Sequence, residues 1–259
     1  MVDALDAARQ AVPFVRVGLS SKSLYFSIEE VQSRMQLQRP DALDLRYTRT
    51  MMGFLMFEPA PKDILMVGLG GGSIAKFCRR YLPKSRLDVL EINPRVIALR
   101  NEFGVPPDGA RFQVIEADGA AFLHASVARY DVVLLDAFDP HGLPSPLSTQ
   151  RFYDDCLDAL QAGGVLVANF HSAARDLADC VERIDRSFGA AALVVEDREA
   201  LNSIVFARRA RALGAPHAAL AGRPKGLDKG AWAQLGGAFD RIATAMIRQT
   251  GDEETRVVR

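Results

Sequence analysis

Two carboxylates and a histidine stand close together in one short segment of this chain. The segment reads Asp136-Ala137-Phe138-Asp139-Pro140-His141, and the prolines and glycine that follow up to residue 146 make it stiff. A carboxylate held on a rigid loop can bind a protonated amine and take its proton as the amine attacks. The same residue types are common in turns that do no chemistry, so the loop alone leaves a structural role open. His141 is a further candidate base, although a lone loop histidine is more often simply exposed.

A glycine-rich turn lies upstream, between two apolar runs. Residues 64–67 predict a strand that is buried on both faces, and 87–90 predict a second one that ends at Glu91. An acidic residue about 20 positions after such a turn is placed to accept hydrogen bonds from ribose hydroxyls. NAD enzymes and enzymes of S-adenosyl compounds both build this unit, so the glycines leave the nucleoside undecided. The turn contains Gly68, Gly70, Gly71 and Gly72.

Two later predicted strands also end in acidic residues. The run 111–115 is followed by Asp118-Gly119, and the run 130–135 is followed by Asp136. Ligands of open α/β sheets bind at the carboxyl ends of the strands, so Asp118 and Asp136 are candidates for the same crevice as Glu91. Asp118 also fits the cap of a helix over 119–127, and that role is compatible with ligand binding.

The order of predicted elements specifies the fold class. A βαβαβαβαβα series followed by two strands predicts an α/β fold. Its sheet is a seven-stranded class I S-adenosylmethionine methyltransferase-like (Rossmann-like) sheet, with a small N-terminal β element before it. We divide the chain into residues 1–58 (N-terminal β element and connecting helix), 59–210 (nucleoside-binding α/β domain) and 211–259 (C-terminal helical extension). A dinucleotide dehydrogenase would need a separate substrate domain, for which this chain has no room.

Composition argues against several classes of partner. The 259 residues hold 32 basic and 32 acidic side chains, which argues against a general binder of nucleic acid or of anionic membranes. No apolar run approaches the roughly 18 residues of a membrane span. The three cysteines are scattered and suit neither a disulfide framework nor a metal site. We therefore expect a cytoplasmic protein with no metal, no nucleic acid and no membrane.

Three stretches together resemble the spermidine synthases, the polyamine aminopropyltransferases. The first is Leu69–Gly72 with Glu91-Ile92, similar to the family's GGGDGG turn and EID. The second is Asp118–Leu123, which looks like its DGxxFL segment. The third and most specific is Tyr130–Pro140 with Gly142 and Pro144, followed by Phe152-Tyr153. It is similar to the family's YDVIIxDxxDPxGP…FY.

The resemblance implies an activity and a role for each candidate residue. Asp136 would be catalytic, binding and deprotonating the attacking amine. Asp139, Tyr47 and Gln32 would bind the amine substrate. Glu91 would hold the ribose and Asp118 the adenine amino group. The implied cofactor is decarboxylated S-adenosylmethionine or S-adenosylmethionine, without a metal, and the implied assembly is a homodimer. The implied nucleoside-binding set is Gly68, Gly70, Gly71, Glu91, Ile92, Asp118 and Gly119.

One departure from the family pattern keeps two other functions open. Ser73 stands where the family's turn has the aspartate that holds the primary amine of the decarboxylated donor. The leading hypothesis is an aminopropyl transfer to a polyamine-type amine. The alternatives are an S-adenosylmethionine-dependent small-molecule methyltransferase and a non-catalytic nucleoside-binding homologue.

Overall fold

The computed structural model describes residues 4–28, 31–137, 143–172, 174–197, 201–210, 213, 223 and 227–257. The helices in these ranges are α1 Ala4–Gln10, α2 Arg46–Met51, α3 Ser73–Tyr81, α4 Pro94–Ala98, α5 Gly119–His124, α6 Gln150–Ala159, α7 Leu177–Phe188 and α8 Lys229–Val257. The strands are β1 Phe14–Val17, β2 Ser21–Tyr25, β3 Val31–Gln36, β4 Asp63–Val67, β5 Arg86–Glu91, β6 Phe112–Glu116, β7 Tyr130–Leu135, β8 Leu160–His171, β9 Leu193–Asp197 and β10 Asn202–Arg208.

The main sheet has seven strands in the order β6-β5-β4-β7-β8-β10-β9. The first five run parallel, and β10 is antiparallel to both of its neighbours. Strands β4 and β7 are apolar throughout their centres because helices cover both faces of the sheet. The predicted fold class is confirmed. The chain reverses its direction of winding between β4 and β7, and that reversal opens a crevice at their carboxyl ends.

The predicted N-terminal β element is a three-stranded antiparallel sheet in the order β1-β2-β3. The sequence predicts that Ser21 and Lys22 belong to its first turn. The observed turn is tighter, since both residues lie in β2. The Gly18 N–H donates to the Ser21 carbonyl at 2.8 Å, so two intervening residues are enough to close the hairpin.

The apolar spacing of residues 43–57 predicts one helix there, but in the structure that helix is divided. Only Arg46–Met51 is α-helical, and Met52–Met56 continues as a tighter 3₁₀ turn. The tight turn is buried on every side, and Gly53 lets two side chains approach its Cα closely. Tertiary packing therefore overrides the helical spacing at this point.

Two other element boundaries differ from the prediction. Helix α4 ends at Ala98, whereas the sequence predicts an end near residue 103. The turns that follow close mostly with hydrogen bonds between residues three apart, and they lead to Gly104, whose φ is +66°. Strand β8 begins at Leu160 rather than Val165. Gly163 and Gly164 lie inside β8, where the pairing with β7 shifts register, so they form a bulge and not a loop.

Helix α8 packs on the α/β core. Its apolar stripe, which includes Leu235, Phe239, Ile242 and Met246, is buried in the same cluster as Met52 and Phe206. The spacing of these apolar residues predicts a helix that packs on the domain or on a partner subunit, and in the structure it packs on the domain. The boundaries proposed at residues 58 and 210 stay predictions. Among the described helices, none combines the length and apolar character that a bilayer crossing demands.

The contact between α8 and the 3₁₀ turn predicts a size limit at Gly53. A Cβ there would lie 2.2 Å from Ile242 Cδ1 and 3.0 Å from Phe206 Cζ. We expect Gly53→Ala to lower the free energy of unfolding by about 2 kcal/mol, measured by urea denaturation. The matched control is Gly237→Ala, at an exposed position of α8 where a Cβ meets nothing within 4 Å. It should be stabilising, by about 0.5 kcal/mol. Equal stability of the Gly53→Ala variant and the wild type would contradict the packing.

Candidate active site

The carboxyl ends of the central parallel strands open onto one cavity of about 410 Å³. The three acidic residues expected at strand ends, Glu91, Asp118 and Asp136, all line it, although they are far apart in sequence. The residues selected from the sequence that lie on its wall are Gln32, Tyr47, Gly68, Gly70, Glu91, Ile92, Asp118, Gly119 and Asp136. Their individual roles stay predictions.

Gly68 joins the glycine turn to the end of β7. It has a φ of +98°, and a Cβ at this position would lie 2.1 Å from the backbone oxygen of Asp136. The backbone N–H of Asp136 in turn donates to the Val67 carbonyl at 2.9 Å. Only glycine satisfies both the backbone angle and the close approach, so the turn and the candidate base are held at a fixed separation.

Of the other two selected residues, one lies off the cavity wall and one falls outside the described residues. Gly71 lies behind it, where a Cβ would meet Ser33 Oγ at 2.7 Å and a Phe103 ring carbon at 2.9 Å. Its small size therefore lets the N-terminal sheet approach the glycine turn. Asp139, the second carboxylate of the stiff loop, falls within 138–142 and lies outside the described residues.

The carboxylate of Glu91 is held by the backbone of the turns that surround it. Its two oxygens accept the N–H groups of Leu69 at 3.0 Å and Asn93 at 2.9 Å. Burial raises the pKa of Glu91, and these backbone donors oppose that rise. The bonds from Leu69 and Asn93 use one acceptor position on each oxygen of a carboxylate that has about four.

Asp118 caps α5, as its sequence context allowed. Its Oδ1 accepts from the backbone N–H of Ala120 at 2.8 Å and of Ala121 at 3.5 Å. Both bonds use the same oxygen, so Oδ2 keeps its capacity to accept from a ligand. The cap orients the side chain, because these two bonds fix the carboxylate over the first turn of the helix.

Asp136 has a different environment from the other two acids. Its Oδ1 accepts from Asn169 Nδ2 at 2.9 Å, and its Oδ2 accepts from the Tyr47 hydroxyl at 3.3 Å. Burial raises the pKa of Asp136 to about 6, while the hydrogen bonds from Asn169 and Tyr47 oppose the rise. Burial and the charge of Asp136 raise the pKa of Tyr47 well above its usual value, so Tyr47 keeps its proton and donates. A carboxylate with a pKa near 6 is suited to general-base work at neutral pH.

Two cavity residues that are linked to Asp136 are not among the candidates selected from the sequence. Asn169 contacts its carboxylate, and the Asn202 Nδ2 donates to Asn169 Oδ1 at 2.9 Å. A signal was present, since Asn169 interrupts the otherwise apolar run 165–170 of β8. A polar residue near the carboxyl end of a buried strand belongs with the strand-end acids.

Helix α1 also borders the cavity, although the sequence indicated only a loose or helical leader. Ala8 and Ala11 line the wall, and Asn93 Nδ2 donates to their carbonyls at 3.0 and 2.8 Å. Asn93 Oδ1 meanwhile accepts the N–H of Arg95 and caps α4. One amide therefore joins the N-terminal helix to the turn that carries Glu91.

A family model describes most of this region. The spermine/spermidine synthase domain matches residues 44–194, which is more than half of the chain and includes Asp118, Asp136 and Asn169. The chain belongs to the spermine/spermidine synthase family. The resemblance inferred from the glycine turn, the Asp118 segment and the Asp136 loop is confirmed.

Curated relatives agree with this membership. The chain is 40% identical over 177 residues to a polyamine aminopropyltransferase of Neisseria meningitidis, covering 66% of this chain and 67% of the relative. It is 39% identical over 180 residues to a polyamine aminopropyltransferase of Chromobacterium violaceum, covering 68% and 69%.

Solved structures of low sequence identity share the fold. A probable spermidine synthase from Corynebacterium glutamicum superposes with a TM-score of 0.70 at 22% identity, covering 80% of both chains. A spermidine synthase in complex with the transition state analogue AdoDATO gives a TM-score of 0.58 at 18% identity, covering 86% of this chain and 87% of that one. Human methyltransferase-like protein 13, in complex with SAH, gives 0.57 at 22% identity, covering 77% and 92%.

The raised pKa of Asp136 predicts that the difference in stability between the wild type and Asp136→Asn depends on pH. Because folding raises its pKa from 3.8 to about 6, the folded protein loses stability as the pH rises through this interval. Asp136→Asn removes that loss. We expect the stability advantage of the variant, from urea denaturation, to be about 2–3 kcal/mol larger at pH 7.5 than at pH 4. An advantage of the same size at both pH values would contradict a raised pKa.

Proposed function

We propose that this protein is a polyamine aminopropyltransferase that uses decarboxylated S-adenosylmethionine and a small amine. The observation that carries the proposal is the half-buried Asp136 carboxylate, which borders the same cavity as the glycine turn and whose pKa is raised to about 6. Membership of the spermine/spermidine synthase family supports it, as do relatives named polyamine aminopropyltransferases at about 40% identity.

The cavity fits a nucleoside donor. Its volume of about 410 Å³ lies within the usual range for small-molecule sites, about 300–1,000 Å³. Glu91 keeps acceptor capacity for ribose hydroxyls, and Asp118 keeps one oxygen for an exocyclic amino group. Ile92 contributes apolar surface beside them, and the turn at Gly68 and Gly70 brings backbone close to the ligand.

Asp136 would perform the proton chemistry. The donor supplies a sulfonium: a new C–N bond forms at the adjacent carbon as the C–S bond breaks and its electrons stay on sulfur. Asp136 would attract the cationic amine, orient it and accept the proton that the amine gives up. Tyr47 and Asn169 hold the two carboxylate oxygens, so the direction of proton transfer is fixed before the amine arrives.

The rest of the acceptor site and the assembly form part of the same proposal. We assign Gln32 and Tyr47, which line the cavity, to binding of the amine, together with Asp139. We further propose a cytoplasmic homodimer that needs neither a metal nor a nucleic acid. Within the described ranges, no three His, Cys, Asp or Glu side chains are grouped so that they could hold a metal ion.

A second candidate function rests on Ser73. Ser73 lines the cavity at the first turn of α3, and its Oγ lies 3.5 Å from the Arg34 carbonyl. Among the described residues, the carboxylates on the cavity wall are Glu91, Asp118 and Asp136, which already have other partners or tasks. A cationic donor tail at Ser73 would therefore lack its own counter-ion. This favours S-adenosylmethionine, whose tail carries a carboxylate, and methyl transfer to a small amine.

The central test is a direct assay of transfer. The full-length protein is incubated with 1,4-diaminobutane and either donor, and the products are separated by mass spectrometry. We expect methylthioadenosine and an aminopropylated amine from the decarboxylated donor. Asp136→Asn should lower kcat by about 100-fold or more, with donor affinity nearly unchanged, because only proton transfer is lost. The control Asp179→Asn, at an exposed position on α7, should match the wild type.

The other outcomes of this assay are equally informative. Methylated amine with S-adenosylhomocysteine, formed only from S-adenosylmethionine, would replace the proposal with the second candidate. Undiminished turnover in Asp136→Asn would remove Asp136 as the base.

Ser73 should determine the choice of donor. We expect Ser73→Asp to raise the ratio of affinities for decarboxylated over ordinary S-adenosylmethionine by about tenfold, because a carboxylate attracts the propylamine cation and repels the donor carboxylate. Ser73→Asn is the matched neutral control of similar size. Isothermal titration of both variants gives the ratio. The same ratio in the Asp and Asn variants would show that the donor tail lies elsewhere.

A further inference from the structure

Two asparagines connect the candidate base to the far side of the sheet. Asn169 lies near the carboxyl end of β8 and is 3% exposed, and Asn202 begins the antiparallel neighbour β10. Asn169 Nδ2 donates to Asp136 Oδ1 at 2.9 Å, and Asn202 Nδ2 donates to Asn169 Oδ1 at 2.9 Å. The three side chains therefore form one continuous hydrogen-bonded row across β7, β8 and β10.

The chemistry of the groups sets the direction of this row. An ionised carboxylate only accepts hydrogen bonds, so Asn169 must present its NH₂ group to Asp136. The Asn169 carbonyl oxygen then faces Asn202, which has an NH₂ group to offer it. That second hydrogen bond holds the Asn169 amide in place and opposes any rotation that would weaken its bond to Asp136. Asn202 thus reinforces the orientation of Asn169 that an ionised Asp136 requires.

We infer that Asn202 and Asn169 are positioning residues that together hold the Asp136 carboxylate in one orientation and in its ionised form. This inference rests on the proposed role of Asp136 as the base. It adds to that role a residue on β10 that acts on the carboxylate through Asn169.

We call the hydrogen-bonded pair Asn202 and Asn169 the relay. The groups that surround Asp136 determine how the loss of this relay would change its pKa. Tyr47 from α2 supplies the other hydrogen bond to the carboxylate, and burial opposes ionisation. The hydrogen bond from Asn169 opposes the rise in pKa that burial causes. When that bond is lost, the pKa of Asp136 rises further, so on acidification the ionised base form is lost at a higher pH. The other charged or titratable side chains of the described residues that line the same cavity are Arg46, Glu91, Asp118 and His171.

The pH dependence of kcat/KM tests the relay. We expect Asn202→Ala to shift the acidic limb of this pH profile by about half a pH unit to higher pH. Asn202→Asp should shift the limb in the same direction by about one pH unit or more. The aspartate is the stronger change because it can only accept from Asn169 and so draws the NH₂ group away from Asp136. Donor affinity, measured by titration, should stay within about threefold of the wild type, since only proton transfer depends on the relay.

Ser203→Ala is the matched control. Ser203 is buried on β10 beside Asn202, and its Oγ lies 3.0 Å from Ser172 Oγ, a contact between the same two segments that does not involve Asp136. This variant should keep the wild-type acidic limb. An unchanged limb in both Asn202 variants, or an equal shift in Ser203→Ala, would overturn the relay.

A second readout separates this inference from the proposed activity. The carboxyl stretch of Asp136 is identified by infrared difference against Asp136→Asn and is titrated without substrate. We expect its pKa to rise in Asn202→Asp, and an unchanged value would overturn the relay even in an inactive protein. A wild type that transfers with neither donor would refute the proposed function while leaving this titration valid.

Discussion

The site depends on the removal of one carboxylate from water at the end of β7. Asp136 is half-buried at the cavity wall, and removal of a carboxylate from water favours its neutral form unless donors compensate. Its neighbours fit this constraint: a tyrosine hydroxyl supplies one hydrogen bond and an asparagine amide supplies the other. Gly68 leaves no room between the glycine turn and the backbone of Asp136, so the acid has little freedom to move toward solvent. Its reactivity follows from this balance.

The three acidic residues of the cavity carry the same functional group but accept hydrogen bonds from different kinds of donor. Glu91 accepts backbone N–H groups from the turns on both sides of it, and Asp118 accepts those at the start of α5. Both are therefore held by main chain. Asp136 instead accepts from side chains, whose bonds can adjust when a proton arrives. One cavity thus contains carboxylates that are held in two different ways.

Several features could be predicted because they depend on local sequence. Apolar runs that end in glycine or an acid mark buried strands and their carboxyl ends, and Glu91, Asp118 and Asp136, which follow such runs, all line the cavity. Other features were missed because their cause is distant in sequence. The 3₁₀ turn at Met52–Met56 forms under Ile242 of α8, nearly 200 residues later. Gly71 has the same residue type as its neighbours, yet packing against Ser33 places it behind the wall.

By itself the sequence determined the order of strands and helices, the family and the acids at strand ends, because periodicity and turn chemistry are encoded within short segments. Only the tertiary structure decided the partners of those acids. Asn169 and Asn202 are 33 positions apart and meet because β8 and β10 pair antiparallel, while Asn169 reaches Asp136 because β7 and β8 pair parallel. Hydrogen bonds between strands depend on register, and register is set by the packing of the whole sheet.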